Sequence, residues 1–397
     1  MQPFLLMKQT LDSAFDPGPL LLYGPNVKNT QIAQVFSRGK AQHDHVDHFT
    51  VGIEWGDKSR SVTYVRKGDG LAIRTDDKRE AGQTVRLTQP MTPSITAAAE
   101  AAMEGELTRL RSLDEPPFKD YEWSLRVDRS RCFLTGKIYG HERGSEFFIP
   151  FPFDLNESHE ESALLRGIIH VPGLRGNPER AYVRSATGDT FPGTFETYMA
   201  SIVTDWAESR SQKLSDLSTQ LERLGLTWKL AARRLNDASV ELVVGRTPHA
   251  QQGGAHDLVS VADVGFGVSQ VLPVLVALLE ARPGQIVYLE QPEIHLHPRA
   301  QAALAEHLVV AAGRGVRVIV ETHSNLLIRG IQTHIALGTI RSSDVSMNWF
   351  SRDPQTGIAE VAVAELDEKG RFGDWPTDFD DISRDTDWAY IEASENA

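Results

Sequence analysis

The stretch Gln285–Gln301 reads QIVYLEQPEIHLHPRAQ and decides the fold. It opens with a short apolar run, Gln285–Leu289, of the kind that forms a buried strand, and then turns polar. An apolar helix is predicted before it at Val268–Leu279. A helix at Arg299–Ala312 and a second buried strand at Val316–Val320 are predicted after it. This helix–strand–helix–strand order is typical of a parallel sheet covered by helices on both faces, so the sequence predicts an α/β core.

The regions around this core show shorter and more varied patterns. Partly alternating apolar runs predict antiparallel strands at Phe49–Trp55, Ser61–Arg66, Leu71–Thr75, Tyr121–Asp128, Arg131–Tyr139 and Glu146–Phe151. Helices are predicted at Ile95–Ser112 and, broken once or twice, at Gly193–Leu224, with a hairpin at Trp228–Leu235 and Val240–Gly245. We therefore divide the chain into a β-rich lobe (1–160), an arginine-bearing segment with a helical insert (161–226), the core (227–340) and a C-terminal extension with an acidic tail (341–397).

Composition excludes several classes of protein. Of the 397 residues, 41% are hydrophobic and 24% are charged, which is the balance of a globular chain. The single cysteine, Cys132, excludes an internal disulfide framework and a multi-cysteine zinc site, and we expect it to be buried. No window approaches the roughly 20 apolar residues of a membrane-spanning helix, and the N-terminus does not read as a secretory signal. We expect a cytoplasmic protein without membrane contact.

The net charge of −13 is unevenly distributed along the chain. Residues 361–397 hold eleven acidic and three basic side chains, so most of the negative charge lies in this tail. The remainder is nearly balanced, and its charge does not exclude nucleic acid as a partner. The acidic tail itself is a candidate docking or autoinhibitory segment.

A glycine-initiated loop, GPNVKNT at Gly24–Thr30, lies between a predicted strand at 20–23 and a predicted helix at Gln31–Phe36. Backbone N–H groups and a helix N-terminus face an anion in such a loop. The full pattern G-x-x-x-x-G-K-[ST] would place Asn29, Thr30 and Gln31 at its glycine, lysine and hydroxyl positions, so three positions fail. The loop is either an ordinary strand-to-helix turn or a shortened phosphate loop, with candidate residues Gly24, Asn26, Lys28, Asn29 and Thr30.

Three further motifs follow in the core. Gly267, Ser269 and Gln270 open the apolar helix and form a candidate anion site, although a serine that caps a helix would read the same. Glu290 ends a predicted parallel strand, where nucleotide-binding α/β folds place a Mg²⁺ ligand; a polar strand end without function is the alternative. His323 follows the next strand and either donates to a phosphate or is a satisfied histidine, and Ser324 beside it reads equally as a helix cap.

The order and spacing of these motifs carry more information than any one of them. Ser269 and Glu290 lie 21 residues apart, and Glu290 and His323 lie 33 residues apart. With these gaps the chain resembles the ABC-type ATPases, in the soluble branch that contains the SMC, RecF and OLD-like proteins of the AAA family. The resemblance is specific over 257–330 and weak at 19–36, where the Walker A motif is degenerate. Five strings carry it: GFGVSQVLPVL (Gly265–Leu275), LEQPEIHLHPRAQ (Leu289–Gln301), ETHSNLLIRG (Glu321–Gly330), IIHVPGLRGNPERAY (Ile168–Tyr182) and KGRFGDWPTDFDD (Lys369–Asp381).

This resemblance implies an ABC-type P-loop ATPase head, with a mixed central sheet flanked by helices, an antiparallel N-terminal lobe and a helical insert. Two ATP molecules with Mg²⁺ lie between two such heads. By analogy Glu290 holds Mg²⁺ through water, and His323 senses the γ-phosphate. Gly267 and Ser269 contact the γ-phosphate held by the facing head, so the resemblance implies a homodimer, or a heteromer with another head or an effector protein.

Two positions depart from the family pattern. Thr30 stands where the family has the lysine that neutralises phosphate charge. Gln291, which cannot accept a proton, stands where the family has its general base, and Glu293 is the candidate substitute. His295 and His297 follow on one side of an extended segment, which leaves a metal site with Glu293 as an alternative.

Three functions remain open on this basis. The first is an ATP-binding subunit, an ATPase if active, that acts as a nucleotide-dependent dimerising switch for an effector; phage defence and DNA repair are suggested by family analogy. The second is a non-hydrolysing scaffold that binds a partner through the head interface. The third is a DNA-binding head, for which solvated faces are the alternative; its basic strips would be Arg166, Arg175, Arg180 and Arg184, or Lys229, Arg233 and Arg234.

Overall fold

The computed structural model describes residues 1–37, 46–91, 97, 101, 104–112, 121–142, 149–155, 158–249, 256–355, 357–372, 388–389 and 391–394. The chain forms two compact units, Met1–Arg166 (unit one) and Gly167–Ala397 (unit two), and each is described by itself. The four-part division given above stays a prediction. No helix in the described ranges is long and apolar enough to cross a membrane.

Unit one contains two antiparallel sheets. The first has four strands in chain order: β1 (His48–Trp55), β2 (Lys58–Lys67), β3 (Gly70–Glu80) and β4 (Gln83–Thr88). The second has three: β5 (Tyr121–Ser130), β6 (Phe133–Glu142) and β7 (Ile149–Leu155). The described helices are α1 (Gln2–Asp12), α2 (Glu104–Arg111) and α3 (His159–Arg166). The predicted antiparallel strands are confirmed; residues 146–148 of the last one, and parts of the helix predicted at Ile95–Ser112, lie outside the described residues.

A buried ion cluster links the two sheets of unit one. Arg60 on β2 donates to both carboxylate oxygens of Asp76 on β3, at 2.8 and 2.7 Å, and to Glu161 on α3 at 3.2 Å. Its guanidinium lies 4.2 Å from the ring centroid of Phe133 on β6. All three charged side chains are buried, and removing one partner from such a cluster leaves the others uncompensated.

The strand predicted at 20–23 is wrong. Only an isolated β-bridge joins Tyr23 to Lys28, and the helix predicted after it is a four-residue 3₁₀ turn, Ile32–Val35. The physical reason lies in helix α1. Thr10 Oγ1 accepts the N–H of Leu21 at 2.8 Å, and the side chain of Gln9 donates to the carbonyl of the same residue, so α1 supplies the partners that a neighbouring strand would supply.

Unit two is built around the predicted parallel sheet. Its strands are β8 (Ile169–Val171), β13 (Ile286–Glu290) and β14 (Arg317–Glu321), in the order β14-β13-β8, and both pairings are parallel. The flanking helices are α6 (Phe266–Glu280), α7 (Pro298–Gly313) and α8 (Asn325–Ala336). Every residue of α6 from Val268 to Leu279 is buried, as its all-round apolar sequence requires. The predicted α/β core is confirmed. The prediction that its second strand is buried is wrong, because β14 pairs with β13 alone among the described strands and three of its five residues are exposed.

The remaining elements of unit two also follow the sequence pattern. The predicted broken helical stretch is a 3₁₀ turn (Phe195–Thr197) followed by α4 (Met199–Glu208) and α5 (Gln212–Arg223). The predicted hairpin is β10 (Leu230–Arg234) with β11 (Ser239–Gly245), in an antiparallel sheet with β9 (Tyr182–Val183) and β12 (Leu258–Ser260). Further 3₁₀ turns lie at Val261–Asp263 and Ser342–Asp344. A two-stranded ribbon, β15 (Asn348–Arg352) and β16 (Ala359–Val363), follows the core.

Candidate functional site

The loop Gly24–Thr30 is held by one side chain of helix α1. Gln9 is buried, and its amide nitrogen donates to the carbonyl oxygens of Leu21 at 2.5 Å and Val27 at 3.2 Å. Its amide oxygen accepts from the N–H groups of Asn26 at 3.1 Å and Val27 at 2.9 Å. These four contacts use the full hydrogen-bonding capacity of a primary amide. Gln9 therefore takes the backbone groups that a bound phosphate would otherwise take.

Other N–H groups of this loop are also used. Gly24 N–H donates to Val27 at 2.8 Å, Asn29 N–H to Leu22 at 2.9 Å, and Thr30 N–H to the side chain of Gln34 at 2.8 Å. A phosphate loop needs such groups free to face the anion. A methyl group at Gly24 would lie 2.7 Å from Cδ of Gln9, so the space beside this glycine is filled by the side chain. The described contacts fit the structural turn better than the shortened phosphate loop.

In unit two, Glu290 lies at the carboxyl end of β13, as predicted. Oε1 lies 3.1 Å from Nε2 of His170, the central residue of β8. Oε2 accepts the N–H of Gly173 at 3.0 Å. Burial raises the pKa of Glu290, but the hydrogen bonds from His170 and Gly173 outweigh it, so the pKa lies below its ordinary value. The strand end therefore presents an ionised carboxylate at neutral pH.

Arg175 connects two of the three predicted motifs of unit two. Its guanidinium donates to the backbone carbonyls of Gln270 at 3.0 Å, Glu290 at 2.8 Å and Gln291 at 2.9 Å. Gln270 in turn donates through its side chain to the carbonyl of Gly176 at 2.8 Å. Burial lowers the pKa of Arg175 to about 10, at which the group still carries its charge at neutral pH. One cation thus fixes the start of α6 against the end of β13.

Glu293 joins the ends of β13 and β14. Its Oε1 accepts the hydroxyl of Thr322 at 2.8 Å and the N–H of His323 at 2.9 Å. The residue is buried, and among the described residues its Oε2 has no hydrogen-bond partner. Gln291 adopts a left-handed backbone, φ 42°, and its N–H donates to the carbonyl of Glu321 at 2.7 Å. This contact set places Glu290, Gln291, Glu293 and His323 at one edge of the sheet, where parallel strands end.

Ser269 lies in the first turns of α6 rather than at its cap. The helix begins after Gly265, which offers no side-chain cap, and the Ser269 hydroxyl donates to the carbonyl of Phe266 at 3.0 Å. A methyl group at Gly267 would lie 3.4 Å from the carbonyl of His295, so this glycine permits a close approach to the segment after β13. A serine that caps the helix, the alternative considered above, is therefore wrong.

Glu290 fits the predicted Mg²⁺ ligand in one respect. Its side chain is 30% exposed, and Mg²⁺ is commonly bound by one or two carboxylates together with nucleotide phosphates. Within the described ranges no group of three or more His, Cys, Asp and Glu could hold a metal. The metal alternative with Glu293, His295 and His297 is thus wrong, and Nδ1 of His297 instead accepts the N–H of Arg299 at 3.3 Å and caps α7.

Five of the six arginines of the predicted basic strips have side-chain contacts with protein groups. Arg175 is buried, so its place in an exposed strip is wrong. In unit two Arg180 pairs with Asp263 at 2.5 Å, Arg184 pairs with Asp205 and Glu208, and Arg234 pairs with Asp237. In unit one Arg166 donates to the carbonyl of Leu11. Three of the seven predicted basic residues are thus paired with carboxylates, which reduces the charge that a DNA-binding surface would use.

His170, Gly173 and Gln9 were not singled out in the sequence. His170 and Gly173 follow the apolar pair Ile168-Ile169, and a third strand predicted there would have placed them beside Glu290 at the same sheet edge. Gln9 carries no comparable signal. Its role depends on where α1 packs against the loop, which is a tertiary contact.

Comparison with known proteins identifies residues 207–329 as a match to the family described as "AAA domain, putative AbiEii toxin, Type IV TA system". This confirms the predicted resemblance to AAA-type ATPases over the segment that carries Ser269, Glu290 and His323. No curated protein matches the chain.

The solved structures that match the chain include SMC heads. An SMC head bound to the C-terminal winged-helix domain of ScpA is 10% identical, with a TM-score of 0.41, and the match covers 92% of this chain and 87% of that one. The SMC head domain from Thermotoga maritima is 8% identical, with a TM-score of 0.29, and covers 63% and 76% respectively. The SMC head from Pyrococcus furiosus, bound to a ScpA domain, is 8% identical, with a TM-score of 0.31, and covers 78% of each chain.

Proposed function

We propose that the chain is an ATPase-head subunit of a nucleotide-dependent switch, which lends Ser269 to nucleotide held by a facing head and holds none in its own loop. The observation that carries this proposal is the occupation of the loop Gly24–Thr30 by Gln9. The amides of Asn26 and Val27 are consumed, and the lysine that would neutralise phosphate charge is absent. At the start of α6, in contrast, no side chain caps the helix, and the Ser269 hydroxyl donates to the carbonyl of Phe266 in the same helix.

The arrangement of unit two is consistent with this division of roles. Arg175 donates to the backbone carbonyls of Gln270 on α6 and Glu290 on β13. A nucleotide bound at Ser269 would therefore change the position of Glu290 through this arginine. ATP with Mg²⁺ is thus the ligand of the assembled pair of heads, and the partner is a head with an intact phosphate loop. An attached effector, in phage defence or DNA repair, is the proposed output.

The test is ATP turnover by the complex purified from its native cells through a tag on this chain. We expect Ser269→Arg to abolish turnover, because it blocks the nucleotide of the facing head. We expect Glu290→Gln to leave turnover within about twofold, because this chain's own site is not used. Ser269→Ala, which keeps the volume, should lower turnover without loss of assembly, and thermal melts should show that each variant is folded.

The same measurement separates the alternatives. Loss of turnover in both Ser269→Arg and Glu290→Gln would contradict the proposal and show that the chain hydrolyses ATP in its own site. Wild-type ATP turnover by the complexes of both variants would show that this chain contributes to neither nucleotide site. That result would support the non-hydrolysing scaffold, which the occupied loop also favours. Binding of ATP by the isolated chain at micromolar concentration would likewise contradict the proposal.

A further inference from the structure

Strand β14 forms an open edge of the parallel sheet in unit two. Its sequence is RVIVE, and in the described part of the chain it pairs on one side only, with β13. Arg317 and Glu321 are exposed, and the side chain of Ile319 is 38% exposed. Native proteins usually protect such edges with charge at the centre, proline, a bulge or a covering element. The five residues of β14 contain no proline and no central charge.

The backbone groups that face outward from this edge follow from the pairing with β13. Arg317 N–H donates to Gln285 at 2.9 Å, and the carbonyl of Glu321 accepts from Gln291 at 2.7 Å. Since successive residues of a strand point their N–H and C=O groups to opposite sides, Arg317, Ile319 and Glu321 face β13. Val318 and Val320 therefore direct both their N–H and C=O groups toward the open edge.

The sequence of β14 is self-complementary in an antiparallel pairing. If a twofold axis passes beside Ile319, Val318 of one copy lies opposite Val320 of the other, and both residues have their backbone groups directed at the pairing partner. The same register places Arg317 opposite Glu321 on both sides of the axis. The strand thus matches a second copy of itself: basic residues face acidic residues, apolar residues face apolar residues, and the backbone donors face acceptors.

We propose that β14 is a contact between two copies of this chain, joined antiparallel about Ile319. Val318 and Val320 would form four backbone hydrogen bonds across the axis, and the two sheets would continue as one six-stranded sheet. The twofold arrangement is isologous, so it closes at two copies and leaves no edge for further growth. This contact goes beyond the proposed function, because it involves neither Ser269 nor nucleotide.

A charge exchange tests the register. Arg317→Glu places two like-charged pairs across the axis. Glu321→Arg does the same with the opposite sign, and it also removes the carboxylate oxygen that accepts the Tyr288 hydroxyl at 2.9 Å, so thermal melts must show that this variant is folded. We expect each variant alone to raise the dimer dissociation constant about tenfold, as two opposed cross-strand charge pairs require. An equimolar mixture of the two variants should restore the wild-type dissociation constant, because every facing pair is then of opposite charge. Analytical ultracentrifugation without ATP measures all four samples.

A proline substitution tests the backbone contacts. Val320→Pro removes an outward N–H and leaves the hydrogen bonds to β13 intact, a position at which an edge strand tolerates proline. We expect dimerisation to weaken at least tenfold, while Val320→Ala, which keeps the N–H, remains dimeric within about twofold. A wild-type chain that is monomeric at 100 micromolar, or single charge variants that dimerise as the wild type does, would overturn the proposal. Ser269→Arg serves as the control that leaves this dimer unchanged.

Discussion

The loop Gly24–Thr30 and the end of strand β13 are both positions where the sequence predicts a phosphate or metal site, and the structure treats them differently. In the loop region, the neutral side chain of Gln9 forms four hydrogen bonds with the backbone N–H and carbonyl groups of Leu21, Asn26 and Val27. At the strand end, the guanidinium of Arg175 donates to the backbone carbonyls of Glu290 and Gln291. The side chain of Glu290 itself remains 30% exposed. A sequence motif can bind a ligand only where the fold positions its polar groups and leaves some of their hydrogen-bonding capacity free.

The largest expected effect is the loss of Arg175. Arg175→Ala leaves three backbone carbonyl groups, one buried and two partly buried, without their donor. We expect the free energy of unfolding of unit two to fall by about 3–4 kcal/mol. Urea unfolding, followed by hydrogen exchange in α6, measures it. Arg180→Ala is the matched control, because its exposed pair with Asp263 should contribute less than about 1 kcal/mol. Equal losses would remove the distinction between the buried and exposed arginines.

A smaller effect is expected in the loop. Gly24→Ala places a methyl group 2.7 Å from Cδ of Gln9, whose side chain is fixed by four hydrogen bonds. We expect unit one to lose about 2 kcal/mol of stability, and the loss to fall below about 0.5 kcal/mol in a Gln9→Ala background. Gly105→Ala on helix α2, with no atom within 4 Å, is the control. Additive losses in the double variant would show that Gln9 does not fill this space.

The smallest effect distinguishes the two regions by pH. The pKa of Glu290 is lowered in the folded chain, so its stabilising contribution is present above its unfolded pKa of about 4.3 and is lost as pH falls through the folded pKa. We expect the free energy of unfolding of wild type to exceed that of Glu290→Gln by about 1–2 kcal/mol at pH 7, and by progressively less as the pH falls below about 4.3.

Gln9 provides the pH-independent comparison, because its four contacts contain no ionisable group. The cost of Gln9→Ala should therefore be the same at pH 7 and pH 4. Chemical denaturation at each pH measures both variants, and a Glu290→Gln difference that stays constant down to pH 2 would contradict the pKa direction given for this carboxylate.

The sequence predicted best where local pattern and tertiary structure agree. The apolar helix Val268–Leu279 is buried throughout, and the strand that ends at Glu290 has a buried centre. Together with the apolar run that ends before Glu321, their order predicted a parallel sheet, which the pairing confirms. The same reasoning placed Glu290 at the carboxyl edge. The strand predicted at 20–23 failed, because an apolar run of four residues does not specify which partner satisfies its backbone.

The contacts that define the candidate site were less accessible. His170 lies 120 residues before Glu290, and the guanidinium of Arg175 was grouped with exposed arginines although it is buried against Gln270. Charge pattern along a sequence does not distinguish an arginine that faces water from one that serves carbonyl groups. Only the packing of α6 against β13 determines this.

The left-handed backbone of Gln291 stores local strain in the segment after β13. A residue with a side chain at φ 42° lies about 1–2 kcal/mol above its relaxed conformation, and it is held there by the carbonyl of Glu321 and the guanidinium of Arg175. If a ligand at the start of α6 drew Arg175 away, this peptide would relax, and the N–H of Gln291 would leave β14. The strand end would then have two conformations, one with Gln291 in the left-handed region and one with it relaxed. The position of Arg175 would determine which of them is populated.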